Sequence, residues 1–80
     1  MEATRAAVLT VSDGVTQGTR ADESGDVAVQ LLRDAGFDVS DRRVVPDERR
    51  DIESALQELA ATHGLVVTTG AGVVGLAGGV

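Results

Sequence analysis

Eighty residues allow one small domain, with 42% apolar content, a single aromatic residue (Phe37), no cysteine and a formal charge of −6. That charge argues against a phosphate-backbone interface, and all seven basic residues are arginines that occur at most in pairs. Without cysteine and with one histidine, disulfides, thiolate zinc sites, cysteine nucleophiles and a histidine metal cluster within one chain are excluded.

The amino terminus has no secretory-signal layout. The apolar stretch 73–80 falls well short of the ~20 residues of a membrane helix. The expectation is a cytoplasmic protein with neither membrane nor nucleic acid as partner.

Ala6–Val11 is a continuous apolar run rich in β-formers, as expected of a strand buried on both faces. Ser12–Glu23 follows as a long polar connection, of a length more often functional than accidental in an α/β unit. Asp22 and Ser24 both suit a helix N-cap, and Val27, Ala28, Leu31, Leu32 and Ala35 form one helical stripe ended by Gly36. Phe37 to Val45 reads as a second strand, less buried at its start. Pro46-Asp47 stops it, with Asp47 or its neighbour capping a second helix. Ile52, Ala55, Leu56, Leu59 and Ala60 give the clearest helical period, closed by His63-Gly64 at the end away from the turns. Leu65–Thr68 is the third strand. Arg42-Arg43 and Arg49-Arg50 read as solvated pairs.

The order β-α-β-α-β predicts an α/β fold with three layers, α/β/α, and a parallel sheet in the order 2-1-3, one helix on each face. The turns after the three strands then share the carboxyl edge, where open α/β sheets hold ligands. Ser12-Asp13 suits either ligand contacts or an Asx turn. Asp47 suits either a helix cap or a carboxylate that holds Mg²⁺ or orients a phosphate. Thr69, Gly70 and Gly72 belong to a turn whose hydroxyls and open amides suit an anion, although a plain turn has the same composition. Residues 71–80 hold only Gly, Ala, Val and Leu, without charge, cap or period. This tail has the composition of a GC-rich gene read out of frame, and its lack of elements leaves the third strand at an unprotected edge.

Four blocks occur in order: Ala7-Val8-Leu9-Thr10-Val11-Ser12-Asp13, Asp22-Glu23-Ser24-Gly25, Val44-Val45-Pro46-Asp47-Glu48 and Val66-Val67-Thr68-Thr69-Gly70. Together they resemble the MogA/MoaB family of molybdenum cofactor biosynthesis proteins. The likeness covers about residues 5–70, the first half of that family's domain, so residues 1–80 are expected to form a partial domain with an atypical tail over 71–80. The resemblance implies a homotrimer when full length, and transfer of AMP from ATP to molybdopterin with Mg²⁺. By the same likeness Ser12, Asp13, Thr69, Gly70 and Gly72 would bind molybdopterin. Asp47 would be the catalytic carboxylate and a possible Mg²⁺ ligand. The chain departs from the family at Ala71, where a Thr-Gly-Gly-Thr-Gly loop would continue, and it lacks the later Arg-Asp-Val-Thr-Pro segment. A non-catalytic pterin- or nucleotide-binding module and an inert fragment are the alternative readings.

Overall fold

In the computed structural model, residues 3–70 and 73–78 are described. The chain runs β1 (Arg5–Val11), α1 (Asp13–Thr16), α2 (Glu23–Asp34), β2 (Asp38–Val45), α3 (Arg49–Thr62), β3 (Leu65–Gly70) and β4 (Val73–Gly78). One sheet holds the strands in the order β2-β1-β3-β4. The first three are parallel, in the expected 2-1-3 arrangement.

The unbroken apolar run of β1 has a direct cause. Side chains alternate along a strand, so Ala6 and Val8 face one helix while Ala7 and Leu9 face the other. On the first face they join Ala28, Val29 and Leu32 of α2 and Val67 of β3. On the second they join Ala55 and Leu59 of α3, Val45 of β2 and Val66 of β3. Leu9, Leu59, Val8 and Val66 are the largest fully buried side chains, all of them aliphatic.

The ends of α2 follow from sequence, whereas α3 begins after Glu48 without the side-chain cap bond expected of Asp47 or its neighbour. Asp22 caps α2, its carboxylate accepting from the Gly25 amide at 3.1 Å. At the other end the amides of Gly36 and Phe37 return to the carbonyls of Arg33 and Leu32, both at 3.0 Å. This is a Schellman closure, and it needs the left-handed φ of +93° that Gly36 supplies. At the end of α3 the Gly64 backbone is not left-handed. Its amide instead donates to the Arg5 carbonyl at 2.9 Å, and a Cβ there would meet Thr4 at 2.8 Å. His63 is buried, with Nδ1 2.8 Å from the Leu59 carbonyl, at the edge opposite the turns.

Two expectations need correction. The Ser12–Glu23 connection contains a one-turn helix, α1, capped by Ser12, whose Oγ accepts from the Val15 amide at 3.3 Å. A single turn is too short to show a hydrophobic period. The stretch after Gly70 is not without structure: β4 pairs antiparallel with β3, Gly70 opposite Val73 and Leu65 opposite Gly78. The sheet is therefore mixed, and β3 is an interior strand rather than an unprotected edge. An antiparallel neighbour needs only a short link, whereas a parallel one needs a crossover. Among the described residues, no helix is long and apolar enough to cross a membrane.

α2 leaves part of its apolar stripe uncovered. Val27 and Leu31 are 58% and 64% exposed. They border a groove of about 470 Å³ between α2 and β3.

Candidate functional site at the carboxyl edge

Parallel register brings the three turns together. Val11 lies opposite Val45, and Thr10 opposite both Val44 and Thr69. The strands therefore end level, and the residues after them share one edge.

The first and second turns are joined by two backbone donors. The Ser12 amide donates to the Val45 carbonyl at 3.0 Å, and the Asp47 amide donates to Asp13 Oδ1 at 2.9 Å. The remaining oxygen of Asp13 and the whole Asp47 carboxylate make no hydrogen bond or ion pair among the described residues. The third turn closes on the first by contact. Gly70 has a φ of +154°, and a Cβ built on it would stand 2.2 Å from the Val11 carbonyl oxygen. Only glycine allows that approach.

Between the first turn, the start of α2 and the end of β3 lies a polar cavity of about 140 Å³. Ser12, Val15, Arg20 and Glu23 contribute to its wall, with Thr10 and Asp22 at its inner end and Ser24 and Gly70 beside them. That volume is well below the roughly 300–1,000 Å³ of sites for drug-sized ligands, so it suits one ring or one polar group of a larger molecule.

Of the residues expected from sequence, Ser12 and Gly70 line this cavity. Thr69 is buried beside it and borders the apolar groove. Asp13 and Asp47 are exposed on the adjoining turns and do not contribute to the cavity wall. Gly72 lies outside the described residues.

Sequence reasoning missed the inner end. The Thr10 hydroxyl donates to Asp22 Oδ2 at 3.0 Å, and the Thr69 hydroxyl donates to Thr10 Oγ1 at 3.3 Å. Arg42 is not merely solvated. Its Nη2 lies 2.9 Å from Asp22 Oδ2, 3.0 Å from the Asp22 carbonyl and 2.7 Å from Asp26 Oδ1. Burial disfavours the Asp22 charge. The hydrogen bonds from Arg42, Thr10 and the Gly25 amide, with the Arg42 charge, outweigh it and hold the carboxyl below its ordinary value. Hydrogen bonds to Asp22 and Asp26 raise the Arg42 pKa. A hydroxyl residue following Ala6 and Val8 on the α2 side of β1 was the available signal.

A model of the family described as a probable molybdopterin binding domain matches residues 7–75. The chain belongs to that family. Its members include the MogA/MoaB-like domains that the four blocks resemble, and the α/β sheet with its 2-1-3 core is the fold expected of them. A CinA-like protein from Syntrophotalea carbinolica is 30% identical over 64 residues, which are 80% of this chain and 16% of the relative. The crystal structure of the protein CinA, of unknown function, from Thermoplasma acidophilum superposes with a TM-score of 0.79 at 26% identity. It is matched over 82% of this chain and 39% of its own. The chain thus spans about a sixth and about two fifths of these relatives.

Proposed function

We propose that the chain acts in molybdenum cofactor biosynthesis, binding molybdopterin at its carboxyl edge and serving the transfer of AMP from ATP to it. Family membership supports the pterin. The observation that carries the transfer reading is the Asp13–Asp47 contact, which sets two carboxylates with open acceptor sites on neighbouring turns, beside a cavity fit for one ring.

In this reading an oxygen of the pterin's terminal phosphate attacks the α-phosphorus of ATP. The bond from the α-phosphorus to the bridging oxygen breaks, and pyrophosphate leaves. The protein's part is alignment and charge compensation. Among the described residues no cluster of three or more His, Cys, Asp or Glu is present. Mg²⁺, however, is commonly held by one or two carboxylates together with substrate phosphates, and Asp13 and Asp47 fit that sharing. Bound there, the ion would offset the charge of the triphosphate. Ser12 and the Gly70 backbone would hold the pterin portion, and Asp47 would orient the reacting phosphate. A homotrimer is the assembly this reading carries, checked by sedimentation.

The test is incubation of the chain with molybdopterin, ATP and Mg²⁺, followed by chromatography for adenylylated pterin. Product that Asp47→Asn abolishes supports transfer. Saturable pterin binding without product leaves a binding module, a reading favoured by the exposure of Asp47 outside the cavity wall. An absence of binding overturns both.

A further inference from the structure

The hydrogen bonds at the inner end of the cavity have a fixed direction. An ionised carboxylate only accepts, so Asp22 Oδ2 takes the single hydroxyl proton of Thr10. With that proton committed, Thr10 can only accept, and it accepts from Thr69. The proton of Thr69 is then committed as well. At the start of α2 the Gly25 amide is likewise held, by Asp22 Oδ1.

From this chain of contacts we infer that the Asp22–Thr10 end of the cavity is an acceptor-only wall, which selects the N–H or O–H edge of a ligand and turns its anionic groups away. There is capacity for such a donor. A hydroxyl oxygen accepts about twice and a carboxylate about four times. Thr69 takes one site on Thr10, and Gly25, Thr10 and Arg42 take three on Asp22. Donors lie elsewhere on the wall. Arg20 makes no ion pair among the described residues. Ser12 uses its oxygen to cap α1 and keeps its hydroxyl proton free. A bound ring is therefore oriented with its amino or amide edge toward Asp22 and its acidic substituents toward Arg20.

This assignment deepens the pterin reading and rests on it. Asp22 acts as a specificity-determining residue, and Thr10 carries its polarity to the cavity surface.

The test compares two stable fluorescent rings, pterin and lumazine. Pterin presents adjacent N–H donors at its 2-amino group and N3. Lumazine has a carbonyl in place of the amino group and an N–H at N1, so no two of its donors are adjacent. The intact chain is titrated with each, followed by fluorescence. Pterin is expected to bind roughly ten- to a hundredfold more tightly, the worth of a hydrogen bond to a charged acceptor. Thr10→Val and Asp22→Asn are expected to bring the two affinities together, while Thr10→Ser keeps the preference. Equal binding of the rings by the unaltered chain overturns the acceptor wall and leaves the pterin cavity standing. A preference that survives Thr10→Val overturns the wall equally. Binding of neither ring overturns the pterin reading and this inference with it. The comparison on the unaltered chain is decisive even where a variant fails to fold.

Discussion

The backbone amide of Asp47 donates to the carboxylate of Asp13 across 34 positions of sequence, at 2.9 Å. With the Ser12–Val45 bond it ties the turn after β1 to the turn after β2. Asp13→Ala removes the acceptor and should cost about 1 kcal/mol, the usual net worth of such a bond. Asp13→Asn keeps a carbonyl acceptor and should cost less. Urea unfolding of the three proteins checks the order.

Asp22 gives a pH dependence of known sign. Its folded pKa lies below the ordinary value of 3.8. The unfolded chain therefore binds that proton first as pH falls, and the stabilisation is complete only above the unfolded pKa. It is lost as pH falls from there through the folded pKa. Asp22→Asn should lower the melting temperature at pH 7, and the gap from the unaltered chain should narrow below about pH 4. A gap that widens on acidification would contradict this assignment.

Gly70→Ala tests how the third turn seats. The added methyl would lie 2.2 Å from the Val11 carbonyl oxygen, at a φ that L-residues rarely adopt. Strain and displacement together should cost about 2 kcal/mol or more, in a domain whose total is on the order of 5 kcal/mol. Thermal denaturation followed by circular dichroism measures it, and ligand affinity should fall with it because Gly70 lines the cavity.

Leu59→Ala tests the α3 core. Leu59 is 1% exposed and packs among Leu9, Ala55 and Val66. Truncating such a leucine removes about 2–5 kcal/mol, enough to leave much of the chain unfolded at 25 °C. Loss of far-ultraviolet ellipticity is the expected reading.

Much of the fold was legible in the sequence for physical reasons that can be named. β1 announced its double-sided burial because it packs both helices, and Gly36 marked a helix end that only a left-handed residue closes. The shared edge of Ser12, Asp47 and Thr69 followed from parallel topology. The pairing of β4 was not legible. Its Gly-, Val- and Ala-rich sequence has no period, and the ladder is formed with β3 rather than specified locally. The role of Asp22 was hidden by a sufficient local explanation. An aspartate before a helix is accounted for by capping, and nothing nearby in sequence points to Thr10, twelve positions earlier, or Arg42, twenty later.

β1 is hydrogen-bonded on both sides, to β2 and β3, and contributes to the apolar clusters under both helices. Neither helix can detach without exposing residues of this strand, so the molecule has little scope for shedding half its structure while keeping the rest. The amides of Ala7 to Leu9 should accordingly exchange with deuterium only through global opening, and their rates would report the whole domain's stability.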